Sequence, residues 1–142
     1  MNGNMELLNY IHQNSEMGQN TIKQLIEIVE DNPFNEVLQS QFNEYKKIFD
    51  LSEQKIEEQN KKAKGVNTLS KISTYMMINL KTLTDKSSSH ISEMLIQGST
   101  MGIVDITKKI KEYNNAYKEI LDLADNLLKL EQRNIEELKK FL

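Results

Sequence analysis

The chain has 142 residues, and 38% of them are hydrophobic and 27% charged, which is enough apolar material for the core of one domain and excludes wholesale disorder. A single proline and five glycines disfavour an all-β fold, and the lack of cysteine excludes disulfides, thiolate metal sites and a cysteine nucleophile. The net charge of −3 argues against a protein that grips nucleic acid by its phosphates.

The first predicted element is a helix that begins near Asn4. Apolar side chains recur at steps of three and four from Leu7 to Val29, which is the spacing of one helical face. Residues 31–33 (DNP) end this pattern, because Asn32 suits an N-cap and Pro33 suits the first position of a new helix. A second helix is therefore expected to follow at once.

The second predicted helix carries an apolar face that includes Phe34 and Tyr45. Its C-terminal part is highly polar, and only Ile56 there has the character of a buried residue. We expect the helix to run to about Ala63, with Gly65 as its stop.

A third, shorter helical pattern extends from Leu69 to Leu83, and Asn67 or Thr68 is expected to cap its start. Residues 85–89 (DKSSS) form the clearest predicted loop of the chain, because they are polar and rich in residues that favour turns and caps. This short helix is expected to connect the two halves of the molecule.

Two further long helices complete the pattern. One is expected to begin near His90 and to continue to Ile110, and the other to run from Tyr117 to Phe141 after a break at residues 113–115 (YNN). Four long helices and one short one predict an all-α fold, an up-down four-helix bundle with a short helix in the crossover connection, formed by residues 1–142 as a single domain.

The two halves of the sequence are similar to each other. Residues 16–18 (EMG) precede Ile22 at the same offset at which residues 100–102 (TMG) precede Ile106. Each of these stretches lies in the middle of a predicted helix, and each is followed by a second long helix with an aromatic-rich segment. A helix pair, a crossover and a second helix pair is the topology of ferritin-like bundles.

The second half of the chain also resembles a known family. Residues 77–81 (MINLK) precede a polar loop, and the next helix contains residues 97–100 (QGST) and is followed by a tyrosine at Tyr113. These features resemble the bacterial ferritin-like family called domain of unknown function 2383. The resemblance implies a ferritin-like four-helix bundle in a cytoplasmic bacterial protein, and it implies no activity.

Di-iron proteins of the ferritin-like fold hold their metals with two Glu-x-x-His motifs and two further glutamates on the bundle interior. Residues i and i+3 share one helical face, so that a carboxylate and an imidazole reach the same ion. The residues three positions before His12 and His90 are Asn9 and Ser87, and Glu-x-x-His occurs nowhere in the chain. We therefore expect no di-iron site, no metal and no cofactor.

Four residues are the candidates if a non-standard metal site exists. His12 and Glu16 are four residues apart, and Asp105 and Glu131 lie at or beside the interior seams of two adjacent predicted helices. The simpler interpretation places His12 with Glu16 as a pair on a helix surface, and the seam carboxylates at the rim with their head groups in water. His90 with Glu93 has the same simple interpretation.

The glycines of residues 98–102 (GSTMG) are the most distinctive local feature, because a glycine inside a helix costs about 1 kcal/mol relative to alanine. We expect them to allow a close approach between helices, with Phe42 or Tyr45 filling the gap; a pocket left by the small residues is the alternative. Met76 and Met77 on the short helix are expected to be partly exposed and to be buried in a dimer interface.

No phosphate-binding glycine loop and no nucleophile elbow is present in the sequence, so we expect no enzyme. The longest apolar run is far shorter than the roughly 20 residues of a membrane span, and the first residues lack the pattern of a signal peptide. The sequence therefore predicts a cytoplasmic, non-catalytic interaction or structural module that forms a homodimer and binds no nucleic acid. A metal-binding protein, either a vestigial oxidase or a metal store, is the alternative.

Overall fold

The computed structural model describes residues 2–59, 61 and 70–142, and within these residues the regular structure is entirely helical. The five helices are α1 (Asn4–Ile26), α2 (Asn32–Glu58), α3 (Lys71–Lys81), α4 (Ser88–Glu112) and α5 (Lys118–Lys139). The predictions of an all-α fold and of four long helices with one short helix are confirmed.

The long helices form two hairpins, α1 with α2 and α4 with α5, and each hairpin closes through a short loop, at residues 27–31 and 113–117. α5 also packs against α1 and α2, which joins the hairpins into one core. The short helix α3 packs mainly against α4 and also touches α1. The largest fully buried side chains come from all four long helices: Leu7, Leu8, Ile11, Leu25, Phe34, Leu38, Ile56, Ile91, Ile106, Ile120, Leu127 and Leu130.

The starts of α2 and α3 differ from the prediction. Asp31, and not Asn32, caps α2, because its carboxylate accepts the backbone N–H of Phe34 at 3.3 Å, while Pro33 lies in the first turn as predicted. Ser70 caps α3 by a reciprocal pair of hydrogen bonds with Ser73. The predicted caps Asn67 and Thr68 lie outside the described residues.

The ends of two helices also need correction. α2 ends at Glu58, whereas the predicted end at Ala63 and the stop at Gly65 lie outside the described residues. α3 ends at Lys81, so that Leu83 belongs to the following loop. The predicted break before the last helix is confirmed.

The helices differ in the number of their residues that are buried. α3 has two buried residues, Ile72 and Met76, whereas α1 and α2 have buried residues along their whole length. No helix of the described residues is long and apolar enough to cross a membrane.

Candidate functional site

The centre of the bundle contains one buried acid, Glu131 of α5. The seam of α5 runs through Ala124, Leu127, Glu131, Asn134 and Leu138, whose alternating steps of three and four place all five side chains on the interior face. Glu131 is therefore carried into the core by its apolar neighbours and is only 2% exposed. The expectation that this carboxyl group lies at the rim with its head group in water was wrong.

Two hydroxyl groups hold the Glu131 carboxyl group. The Tyr45 hydroxyl of α2 donates to Oε2 of Glu131 at 2.9 Å, and the Ser99 hydroxyl of α4 forms a second hydrogen bond. Asn134, one turn further along α5, hydrogen-bonds the Tyr45 hydroxyl. Side chains from three helices thus form one buried network, in which the side-chain oxygen of Asn134 has no hydrogen-bond partner.

Burial dominates the acid–base properties of this network. Loss of water raises the pKa of Glu131 from its ordinary value of 4.5 to about 7, although the hydrogen bonds from Tyr45 and Ser99 act in the opposite direction. Burial, together with the nearby Glu131 carboxylate, also raises the pKa of Tyr45 well above its usual range. Glu131 therefore changes its charge near neutral pH, whereas Tyr45 stays neutral there.

α1 contributes a second pair of polar side chains beside this network. The amide of Asn14 donates to the hydroxyl of Tyr10 at 3.1 Å, and it lies close to Gly102, next to Glu131. Burial raises the pKa of Tyr10, and the carboxylates of Asp105 and Glu131 add to this effect. Tyr10 is therefore a neutral hydroxyl group that faces two carboxylates from different helices.

Three glycines make room for bulky side chains in and beside the network. A Cβ atom at Gly102 would lie 3.0 Å from Oε1 of Glu131, and a Cβ atom at Gly18 would lie 2.8 Å from the ring of Tyr45. At Gly98 it would lie 2.8 Å from the sulfur of Met76. The predicted close approach at the two glycines of α4 is correct in kind, but the groups that fill the space are Met76 and Glu131, and neither Phe42 nor Tyr45.

A small cavity of about 40 Å³ adjoins the network. Glu131, Tyr45 and Ser99 contribute polar atoms to its lining, and Ile72 and Met76 of α3 contribute apolar ones. This volume is large enough for a water molecule. α3 therefore forms part of the wall of the cavity that adjoins the buried carboxyl group.

The donor set at the centre does not fit a di-iron site. The i, i+3 pair on α5 is Glu131 with Asn134, so that an amide stands where a Glu-x-x-His motif has its imidazole. The partners of Glu131 are the neutral hydroxyl groups of Tyr45 and Ser99. Across the part of the chain that the structure describes, no three His, Asp or Glu side chains are grouped so as to hold a metal ion.

His12 lies apart from this centre and is buried, so the prediction of a pair on the helix surface was wrong for its imidazole ring. The ring packs on Phe49 with 4.4 Å between centroids. Its Nδ1 is 4.0 Å from Glu16, and its Nε2 is 3.9 Å from Glu53 of α2. Because the two carboxylates face opposite nitrogens, they flank the ring and do not converge on one point.

The remaining predicted pair, Asp105 and Glu131, lies near Tyr10, whose pKa both carboxylates raise. Asp105 is half-buried on α4, and the hydrogen-bond partners of Glu131 are Tyr45 and Ser99. Two further polar residues are buried in the core: Ser15 donates its hydroxyl to the carbonyl of Ile11 at 2.7 Å, and Gln41 lies beside the cavity. His90 and Glu93 lie in the first two turns of α4, so they are not at the central level of the bundle, which Gly102 marks on that helix.

Sequence reasoning missed Tyr45, Ser99, Asn14 and Asn134 as members of the site, and Glu53 as a partner of His12. The available signal was the interruption of each apolar seam at the same level of the bundle. That interruption is Ser15 and Gly18 on α1, Gln41 and Tyr45 on α2, Gly98 and Gly102 on α4, and Glu131 and Asn134 on α5. Comparison of the chain with protein-family models, curated proteins and solved structures yields no match.

Proposed function

We propose that this protein is a non-catalytic, ferritin-like interaction module that pairs with a second copy of itself through α3. The carrying observation is the outer face of that helix. Met77 is 40% exposed and Ile78 is 52% exposed, and they are adjacent on a helix that buries only Ile72 and Met76. Large apolar side chains exposed next to each other favour burial against a partner.

The ferritin-like arrangement belongs to the same proposal. Its support is the pair of helical hairpins joined by a long connection that contains α3, and the polar interruption that occurs at one level in all four long helices. Ferritin-like proteins build their sites from facing helices at such a central level. In this chain the central level holds a hydrogen-bonded network around Glu131.

The surface around α3 is suited to self-association because it carries both a projection and a recess. A cleft of about 370 Å³ runs between α1 and α3, and Met77, Leu80 and Lys81 line it on one side. Glu16 and Met17 line the other side. A two-fold pair needs self-complementary surfaces, and here exposed apolar side chains and opposite charges occur on the same face.

A non-catalytic role fits the chemistry of the central site. The Glu131 carboxyl group is buried, and Tyr45 and Ser99 already occupy it as hydrogen-bond donors. The alternative of a metal store or vestigial oxidase would need several anionic or imidazole ligands on one ion, and the central donor set is mainly neutral. Elemental analysis of protein loaded anaerobically with ferrous iron tests this alternative, because stoichiometric iron would favour it over our proposal.

Sedimentation velocity of wild-type protein from micromolar to millimolar concentration tests the proposed self-association. We expect a reversible dimer, and we expect Ile78→Lys to weaken its dissociation constant at least tenfold, because a charge would be buried in the interface. Leu51→Lys is the matched control, since Leu51 of α2 is a similarly exposed apolar residue at 45% and lies outside α3. A wild-type protein that stays monomeric over this range, or equal effects of the two variants, would contradict the proposal.

A further inference from the structure

α3 is the shortest helix that lines the cavity beside Glu131. The other walls of the central cavity belong to the four long helices, whereas α3 is short and contributes only Ile72 and Met76. These two residues are also the only buried residues of α3. The two best-buried contacts of α3 with the bundle are therefore ones that line the cavity, while Tyr75 and Leu80 pack against the core partly buried.

The groups that face Glu131 give its negative charge little compensation. α1 supplies the neutral side chains Tyr10 and Asn14, and α2 supplies Tyr45. α4 supplies Ser99, and α3 supplies only apolar side chains. Of these helices, α4 alone brings a second charged group close to the network. That group is the carboxylate of Asp105, which raises the pKa of Tyr10, as Glu131 also does. These groups thus offer an ionised Glu131 two hydrogen bonds and no positive charge, and departure of α3 opens the cavity beside it to water.

We propose that ionisation of Glu131 releases α3 from the bundle and thereby weakens self-association through the outer face of the same helix. The inference rests on the proposed function for its second half, because only a dimer that forms through α3 is affected. α3 then acts as a cover that is closed over a protonated carboxyl group and opens when that group becomes charged. The fold would in this way couple pH to the oligomeric state.

The direction of the pH effect follows from proton linkage. With α3 in place the pKa of Glu131 is about 7, and once α3 has left, water returns it towards its ordinary value of 4.5. The closed form therefore holds a proton that the open form has lost between these two values. The population of the open form is expected to rise about tenfold per pH unit in this window, and to level off above pH 7.

Amide hydrogen exchange measured by mass spectrometry tests the opening of α3. Wild type and Glu131→Gln are compared with each other at each pH from 5 to 8, because the pH-dependent intrinsic exchange rate then cancels in their ratio. We expect the ratio of wild-type to variant exchange in residues 71–81 to rise about 40-fold from pH 5 to pH 7 and then to level off, with about a further factor of two by pH 8. Amides of α2 serve as the internal control, because they exchange through global unfolding and should stay slower than those of α3 at every pH.

A second variant keeps the test decisive if Glu131→Gln folds poorly. Met76→Ala removes one of the two buried side chains of α3 and leaves the carboxyl group in place. It is expected to speed exchange in α3 at every pH and to keep the rise between pH 5 and 7, with exchange in α2 of the same protein as the reference. Exchange in α3 that shows no such rise in wild type would overturn the inference.

Sedimentation at pH 5.5 and pH 7.5 separates the inference from the proposed function. We expect the wild-type dissociation constant to increase at least tenfold at the higher pH and that of Glu131→Gln to stay unchanged. A dimer with the same dissociation constant at both pH values would overturn the inference and leave the proposed function intact. A protein that is monomeric at both would overturn the proposed function, while the exchange experiment still decides whether α3 opens.

Discussion

The long helices and α3 are attached to the same core in different ways. α1 and α2 face each other along their lengths, with buried residues from Leu7 to Leu25 on one helix and from Phe34 to Ile56 on the other. α3 contributes one short apolar stripe to the bundle and leaves Ile78 in solvent. A local opening requires few buried contacts. We therefore expect α3 to be the part of the fold that opens, and the long helices to carry most of the stability.

The largest expected effect is the difference in stability between a core substitution in α2 and one in α3. Phe34→Ala removes a fully buried ring of α2 that packs on Phe141 with 4.8 Å between centroids, and it should lower the free energy of unfolding by about 3–5 kcal/mol. Met76→Ala in α3 should lower it by less than about 1 kcal/mol, because α3 separates before the rest of the bundle unfolds. Urea denaturation of both variants measures this difference, and equal losses would show that α3 is part of the same cooperative unit.

Glu131→Gln should have the next largest effect, and its sign is opposite. The pKa of Glu131 is higher in the folded protein than in the unfolded chain, so the acid form is favoured by folding, and stability is lost as the pH rises from 4.5 through about 7. The penalty above pH 7 is at most about 3 kcal/mol, because release of α3 returns the carboxylate to water and so caps it, and the uncharged amide avoids it. We expect the variant to be more stable than wild type at pH 8 and to match it at pH 4.

Urea denaturation at pH 4, 6 and 8 follows this difference. Glu136→Gln is the control, because Glu136 is an exposed residue of the same helix whose partner is Lys139. Its stability should stay within about 0.5 kcal/mol of wild type at each pH. A wild-type protein that is at least as stable as Glu131→Gln at pH 8 would show that the carboxylate is compensated in the core.

The helical part of the fold could be predicted from the sequence, because the apolar steps of three and four are local and survive in the structure. The seam of α5, from Ala124 to Leu138, is one example, and the break before Tyr117 is another. Helix caps were less predictable. Asp31 and Asn32 are adjacent and both suit an N-cap, and only the backbone geometry selects Asp31.

The central site could not be predicted, because it depends on which residues of different helices lie at the same level. Glu131 is buried by the apolar residues around it on α5, but its partners Tyr45 and Ser99 lie 86 and 32 positions away in the chain. Which bulky side chain packs against which glycine could not be predicted for the same reason. Gly18 accommodates Tyr45, a role that the sequence suggested for the glycines of α4.

Substitutions of two glycines, one that contacts α2 and one that contacts α3, are expected to change the stability by an intermediate amount. Gly18→Ala places a methyl group 2.8 Å from the ring of Tyr45, which is held by its hydrogen bond to Glu131, so we expect a loss of about 1–3 kcal/mol. Gly98→Ala meets the sulfur of Met76 at the same distance, but that side chain is flexible and belongs to α3.

We therefore expect Gly98→Ala to cause no net loss, because alanine gains about 1 kcal/mol over glycine inside a helix. Thermal unfolding of the two variants, followed by circular dichroism, measures the difference. A melting temperature that falls as much for Gly98→Ala as for Gly18→Ala would mean that α3 holds Met76 as rigidly as α2 holds Tyr45.

The smallest expected effect compares the caps of the same two helices. Asp31→Ala removes a hydrogen bond to the backbone of α2 and a second one, at 2.9 Å, from the hydroxyl of Ser88, and it should lower the free energy of unfolding by about 1 kcal/mol. Ser70→Ala removes the equivalent cap of α3. Because α3 opens on its own, this loss should appear as faster amide exchange in residues 71–81, with an unchanged urea midpoint. A shifted midpoint for Ser70→Ala would mean that the start of α3 is coupled to global unfolding, and the contrast between α3 and the long helices would then be one of length alone.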